Sequence, residues 1–198
     1  MRNPLEKLER ALARLPGFGR RSAERAALAI ARQGGTLADP LVEAISEARA
    51  NVVCCRECGG FTVRGEDPCQ LCTDERRDRS ILCVVEEPGD IVAMERAGVY
   101  NGLYLSLHGK VSASRGTGPQ DLRLEPLSLK LAGGGIREVV LATGTDLDGD
   151  ATAEFLTEMI QSSAPQVKVS RLAYGLPVDS GIAYSDPITL RRALSGRQ

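Results

Sequence analysis

The sequence is poor in several residues that common protein functions depend on. Of its 198 residues none is tryptophan, 4% are aromatic and one is histidine, which disfavours extensive base stacking and histidine-based catalysis. Neither a P-loop nor a Gly-x-Ser-x-Gly elbow is present. No apolar run is long enough to cross a membrane, and the Met-Arg-Asn-Pro start lacks the pattern of a secretory signal. The cytoplasm is therefore the expected location.

Cysteines, in contrast, occur at the spacing of a metal site. Cys55 with Cys58 and Cys69 with Cys72 form two C-x-x-C pairs, separated by ten residues rich in turn formers. Four thiolates at this spacing are typical of a closed, structural Zn²⁺ site. The alternative is a pair of disulfides, which a chain with many core-forming residues and no secretory signal has little need of. Cys54 adjoins the first pair and is left as a spare thiol.

Three helices are predicted at the amino-terminus. Asn3 is placed to cap the first helix, Pro4 occupies its first position, and leucines recur along one face. The turn Pro16-Gly17-Phe18-Gly19 ends this helix, and a second one is expected from about Ser22 to Gln33. A third, from about Pro40 to Asn51, carries an apolar stripe that we expect to be buried. Its members are Leu41, Ala44, Ile45, Ala48 and Val52.

Basic residues concentrate around the first turn. Residues 1–25 contain seven arginines and lysines against three glutamates, a balance that suits a polyanion. Gly17 and Gly19 let a ligand approach the backbone, and the free amides at the start of the second helix favour a phosphate. Arg20, Arg21 and Arg25 surround that position. We favour a helix-hairpin-helix that binds the nucleic-acid backbone without reading bases, over a helical corner whose arginines only face water.

From Ser80 onwards, short apolar runs alternate with helical patterns, which predicts a parallel sheet in an α/β fold. The expected strands cover residues 81–85, 103–107, 136–142 and 167–173. Helices are expected over residues 91–97, over residues 121–131 and after residue 146. Cys83 lies inside the first strand and is predicted to be a core residue. His108 ends the second strand and is interpreted as a loop or hydrogen-bonding residue.

Acidic residues follow two of these strands. Glu86, with Asp90 close behind it, follows the first strand, and Asp146 and Asp148 follow the third. Because the carboxyl ends of parallel strands share one edge of a sheet, these carboxylates could converge on Mg²⁺ and serve phosphoryl transfer. The alternative is helix capping, in which Asp148 and Asp150 stabilise a helix start without a metal. The sequence leaves both readings open.

Taken in order, these pieces resemble the bacterial recombination mediator family RecR along the whole chain. The matching stretches are residues 15–25, the cysteine box, and residues 81–86, 149–153, 171–178 and 189–197. The resemblance implies four parts: a helix-hairpin-helix DNA-binding domain (1–53), a four-cysteine zinc finger (54–79), a Toprim domain (80–175) and a carboxy-terminal oligomerisation tail (176–198), the last a strand and a helix. The sequence departs from the usual family pattern at Ser112-Ala113-Ser114 and at Asp179-Ser180.

The resemblance also implies a function. It implies a non-enzymatic, nucleoid-associated mediator of DNA repair that acts with RecO and RecF to load recombinase at gapped DNA. It further implies a ring-shaped dimer or tetramer able to encircle DNA. The DNA-contacting basic pair of the family falls on Arg21 and Arg25, where the first position commonly holds lysine. The competing hypothesis is a Mg²⁺-dependent Toprim nuclease or strand-transfer enzyme, with Glu86, Asp146 and Asp148 as metal ligands.

Overall fold

A computed structural model describes residues 3–173, residue 182 and residues 185–195. The chain divides into two compact units, Met1–Val52 and Val53–Gln198. The first unit contains the helices α1 (Pro4–Leu12), α2 (Arg20–Gln33) and α3 (Gly35–Asn51). The second contains six strands and five further helices among the residues described. None of the described helices combines the length and the apolar character needed to cross a membrane.

The first unit confirms the predicted helices but shifts their ends. The side chain of Asn3 accepts a hydrogen bond from the Leu5 amide at 3.0 Å, and Pro4 begins α1, as predicted. That helix ends at Leu12, one turn early, so Leu15 lies in the following turn with 48% of its surface exposed. Helix α2 begins at Arg20 because the backbone of Gly19 is extended and serves as the N-cap. Helix α3 begins at Gly35, five residues before the predicted start.

The predicted burial of α3 is wrong. No residue of this helix is buried, and Leu41 and Ile45 are 40% and 59% exposed. The apolar stripe exists, but the other helices of this unit do not cover it, whereas Ala23 and Ala27 are buried in α2. The apolar surface of this unit has five members on α2 and α3: Leu28, Leu37, Leu41, Val42 and Ile45.

The second unit begins with a small cysteine module, which has two short strands and one short helix. These are β1 (Val52–Cys54), β2 (Phe61–Val63) and α4 (Gln70–Thr73). An α/β domain follows, in which strands and helices alternate: β3 (Asp78–Val85), α5 (Pro88–Ala97), β4 (Gly102–Ser106), α6 (Glu125–Ala132), β5 (Glu138–Ala142), α7 (Leu147–Ser163) and β6 (Lys168–Arg171). A 3-10 turn at Pro119–Asp121 precedes α6, which starts four residues later than predicted. Helix α8 (Pro187–Ser195) lies in the tail, whose expected strand falls outside the described residues.

The α/β domain is built on a four-stranded sheet in the order β4-β3-β5-β6, with every neighbouring pair parallel. This confirms the predicted fold class. Alternate side chains of β3 point to opposite faces. Leu82 and Val84 pack with α6 and α7 in one apolar core, while Cys83 and Val85 pack with α5 and the four clustered cysteines in another. The cysteine module therefore covers the second face of the sheet.

Candidate metal centre and nucleic-acid interface

The four cysteines of the two C-x-x-C pairs come together in one buried cluster. Their Sγ atoms lie 3.8 Å (Cys55–Cys72), 3.6 Å (Cys58–Cys69) and 3.7 Å (Cys69–Cys72) apart. In a tetrahedral zinc site with Zn–S bonds of about 2.3 Å, neighbouring sulfurs lie about 3.8 Å apart. The donor set therefore fits a metal ion, and it is the only such group of three or more ligands in the parts of the chain that the structure describes.

The backbone around the first pair orients its sulfurs. The Cys55 amide donates to the Gly60 carbonyl and the Gly59 amide donates to the Cys55 carbonyl, both at 2.8 Å. This tight turn requires a positive φ of 76° at Gly59. The amides of Gly60 and Cys69 each donate to a cluster sulfur, Cys58 Sγ and Cys55 Sγ respectively, at 3.3 Å. Such N–H donors stabilise negative charge on the sulfurs.

The acid–base properties of the cluster favour a cation. A hydrogen bond from Cys72 lowers the pKa of Cys58 to about 5, so that this thiol ionises readily. Donating that hydrogen bond raises the pKa of Cys72, and burial raises the pKa of Cys69 to about 11. One thiolate therefore forms easily, while burial and the neighbouring sulfurs oppose the ionisation of Cys69 and Cys72. A bound cation would compensate the additional negative charges.

The two remaining cysteines lie outside this cluster, as predicted. Cys54 ends β1 with an exposed side chain. Cys83 is fully buried in β3, and burial raises its pKa to about 12. Neither contributes a ligand atom to the group of four sulfurs. The C-x-x-C spacing thus identifies the correct members of the cluster.

Three residues bind the cysteine module to the rest of the domain: Ser106 and His108 at the end of β4, and Arg123 before α6. The Ser106 amide donates to the Cys58 carbonyl at 2.7 Å, and Nε2 of His108 lies 2.8 Å from the Gly59 carbonyl. Arg123 donates to the carbonyls of Cys55, Arg56 and Glu57. The interpretation of His108 as a hydrogen-bonding residue is confirmed, although its partner, 49 positions earlier, has no signal in the sequence. Arg123 is a contact that sequence reasoning missed altogether.

The turn between α1 and α2 presents backbone amides and arginines together. Gly17 adopts a positive φ of 79°, and Gly19 caps α2 without a side chain on the first-turn amides. No acidic residue occupies that first turn, and Arg20, Arg21 and Arg25 are exposed. Within the described residues, no carboxylate lies at ion-pair distance from any of the three. The N-terminus of α2 therefore combines amides that no side chain caps with three exposed arginines that form no ion pair among the described residues, an arrangement suited to phosphate.

The acidic residues at the carboxyl edge of the sheet are brought together only in part. Glu86 and Asp146 share one partner, since Lys110 Nζ lies 3.3 Å from the first carboxylate and 2.7 Å from the second. Asp148 instead lies 3.4 Å from Arg115. Asp90 accepts from the Glu87 amide at 2.8 Å in the capping box of α5. The lysine lowers the pKa of Asp146, and the pKa of Lys110 is raised in turn.

Asp146 also caps the helix that follows it, whereas the capping alternative drawn from the sequence rested on Asp148 and Asp150. The Oδ1 atom of Asp146 accepts from the Gly149 amide at 2.8 Å at the start of α7, where Asp148 and Asp150 occupy the first turn. Gly149 allows this close turn, because an added Cβ would lie 2.2 Å from the Gly144 carbonyl oxygen. The edge of the sheet thus combines helix capping with ion pairs.

Comparison with known proteins decides the family. The protein called Recombination protein RecR of Moorella thermoacetica is 46% identical over 194 residues, which cover 98% of this chain and 96% of that protein. The chain belongs to the RecR family. Proteins of the same name from Tropheryma whipplei strain TW08/27 and from Deinococcus radiodurans strain R1 are 46% and 44% identical over the same share of this chain, covering 96% and 86% of their own lengths.

Two family profiles match the second unit from residue 80 onwards. The profile described as Toprim domain matches residues 80–173, which contain the parallel sheet, and the profile described as RecR, C-terminal matches residues 175–198. The RecR-family resemblance and the Toprim fold predicted from the sequence are therefore confirmed. Within the carboxy-terminal match the structure describes residue 182 and residues 185–195. There Arg192 of α8 contacts Asp150 at 2.5 Å and the Thr145 carbonyl at 2.7 Å.

Proposed function

We propose that this RecR-family chain is a non-enzymatic DNA-binding mediator of recombinational repair. In this proposal it acts with RecO and RecF to load recombinase at gapped DNA, as a ring formed by several copies. The observation that carries the proposal is the N-terminus of α2, where amides that no side chain caps lie beside three exposed arginines that form no ion pair within the described part of the chain. Backbone amides and arginines recognise phosphate, and phosphate contacts carry no sequence information.

Gly17, Gly19, Arg20, Arg21 and Arg25 form the DNA-binding site in this proposal. Gly17 and Gly19 keep the turn free of side chains, so that a phosphate can reach the first-turn amides of α2. Arg21 and Arg25 lie four residues apart, one turn of helix, and therefore share a face. Both side chains can contact adjacent phosphates of one strand.

The cysteine cluster holds zinc in this proposal, and its role is structural. All four ligands are cysteines, which leaves no open coordination position for water or substrate. The sulfurs are buried beneath the second face of the Toprim sheet, together with Cys83, Val85 and Tyr104. Zinc at Cys55, Cys58, Cys69 and Cys72 therefore stabilises the cover of the sheet and does no chemistry.

Assembly into a ring is supported by the apolar surface of the first unit. Leu28, Val42 and Ile45 are each at least half exposed, and exposed apolar patches of this kind commonly mark interaction sites. We propose that copies of the chain meet there, with the carboxy-terminal tail completing the interface. A ring of copies would bring several α2 N-termini around one DNA molecule, which suits binding without sequence preference.

The proposal predicts binding that depends on salt and not on sequence. Two duplexes of equal length and unrelated sequence should bind within about twofold of each other. Binding should weaken steeply as salt rises, because each neutralised phosphate contributes a slope of about −0.9 in a plot of log K against log salt. Fluorescence anisotropy at several salt concentrations measures both properties. A strong preference for one sequence, or a slope near zero, would exclude the proposed backbone contacts.

A further inference from the structure

Four acidic residues at the carboxyl edge of the Toprim sheet each pair with a basic residue. The acids are Glu86, Asp146, Asp148 and Asp150, and the bases that pair with them are Lys110, Arg115, Arg171 and Arg192. Each carboxylate lies within 3.4 Å of a basic nitrogen. These four carboxylates therefore already have basic partners, where the sequence alone suggested an acidic cluster that could bind a metal.

Lys110 occupies the centre of this arrangement. Its Nζ atom lies 3.0 Å and 2.7 Å from the two carboxylate oxygens of Asp146 and 3.3 Å from Glu86 Oε2. The Lys110 side chain is 17% exposed and that of Glu86 is 15% exposed. The other Glu86 oxygen, Oε1, accepts from the Gly144 amide at 2.6 Å. The lysine thus bridges the ends of two strands from a largely buried position.

The backbone at the end of β4 places Lys110 at this position. It follows β4, and the two residues before it, His108 and Gly109, both have positive φ angles, 59° and 149°. The Gly109 amide donates to the Glu86 carbonyl at 2.9 Å, and the Val111 amide donates to Thr152 Oγ1 at 3.0 Å. Because hydrogen bonds hold the backbone on both sides of Lys110, the fold itself determines where the ammonium group lies.

We infer that the ammonium group of Lys110 takes the place of a divalent cation at the Toprim edge, so that this chain does not bind Mg²⁺ there. Mg²⁺ prefers an octahedral shell of oxygens at about 2.0–2.1 Å. To bind, it would have to displace an ammonium group that already contacts both carboxylates. The third candidate ligand, Asp148, pairs with Arg115, and the fourth, Asp90, caps α5. The residues present therefore do not fit the metal.

This inference stands independently of the proposed DNA-binding function. It states that the edge is held together by an internal ion pair, and that the competing reading of a Mg²⁺-dependent Toprim enzyme lacks its metal site. Removing the ammonium group should leave two adjacent carboxylates without compensation. A divalent cation can then supply the missing charge.

The test is Mn²⁺ binding to the zinc-loaded full chain, measured by electron paramagnetic resonance as a probe for the Mg²⁺ site. Wild type should show no saturable site. Lys110→Met, which keeps the length of the side chain without its charge, should gain one saturable Mn²⁺ site per chain, at least about tenfold tighter than any residual binding to wild type. Adding Asp146→Asn to Lys110→Met should abolish the gain. Lys168→Met is the matched control, since that lysine of β6 pairs with Glu138 of β5 at 3.1 Å and does not contact Glu86 or Asp146.

Two results would overturn the inference. One is a saturable Mn²⁺ site in wild type that Glu86→Gln removes. The other is a folded Lys110→Met that binds Mn²⁺ no better than wild type. If Lys110→Met is unfolded without metal, thermal melting with and without Mn²⁺ decides the matter: refolding by the cation supports the inference, and no refolding contradicts it.

Discussion

Replacing Cys58 by serine should lower the melting temperature of this RecR-family protein by at least about 10 °C. A structural zinc site contributes several kcal/mol to folding, and for a chain of this size 1 kcal/mol corresponds to about 2–4 °C. The loss reaches beyond the cysteine module, because the cluster packs against Cys83, Val85 and Tyr104 of the Toprim sheet. Calorimetry with measurement of zinc content checks this prediction.

Cys54→Ser is the matched control for that experiment. Cys54 is adjacent in sequence but exposed and outside the group of four sulfurs. We expect this variant to keep one zinc per chain and the wild-type melting temperature. If Cys58→Ser also melted like wild type, or if Cys54→Ser lost its zinc, the structural role assigned to the cluster would be wrong.

The double variant Arg21→Gln/Arg25→Gln should bind DNA about 100-fold more weakly than wild type at low salt. Hydrogen bonds to charged groups contribute about 1.5–3 kcal/mol each, which corresponds to at least about tenfold per lost contact. The slope of log K against log salt should become less steep by the contribution of about two phosphate contacts per chain. Both side chains are exposed and without ion partners among the residues that the structure describes, so folding should be unaffected.

The control for charge is Arg32→Gln/Arg49→Gln. These two arginines lie in the last turns of α2 and α3 and not in the proposed site, and removing them changes the net charge by the same amount. We expect this variant to lose at most about threefold in affinity, the effect of general charge alone. Equal losses in the two double variants would show that binding follows net charge and not the site at the turn.

The Toprim sheet was predictable because its signals are local. The apolar run of β3, the alternation of strands with helices and the capping residue Asn3 each act within a few positions of the chain. The C-x-x-C spacing likewise selects Cys55 over Cys54, since the sulfurs must meet at one point. Local signals also explain the errors at helix ends, because Gly19 and Gly34 allow α2 and α3 to begin earlier than side-chain capping residues suggest.

Features that depend on distant residues were not predictable. The stripe on α3 has the helical spacing of a buried face, but spacing does not reveal whether another part of the chain covers it. Lys110 reaches Asp146 across 36 positions, and Arg123 reaches the cysteine module across more than 60. The cover of the second face of the sheet was also not predictable. Cys83 and Val85 alternate along β3 and mark that face as buried, but the alternation does not show that the four clustered cysteines cover it.

Phosphate binding at the N-terminus of α2 is tested most directly by a nuclear magnetic resonance titration of the isotope-labelled full chain with a short DNA duplex. The proposal places phosphate on the first-turn amides of α2, so the largest amide shift changes should fall on residues 17–22 and 25. Amides at the Toprim edge, including those of Glu86 and Asp146, should change little. Large changes confined to the Toprim edge, with residues 17–22 unaffected, would contradict binding at the α2 N-terminus.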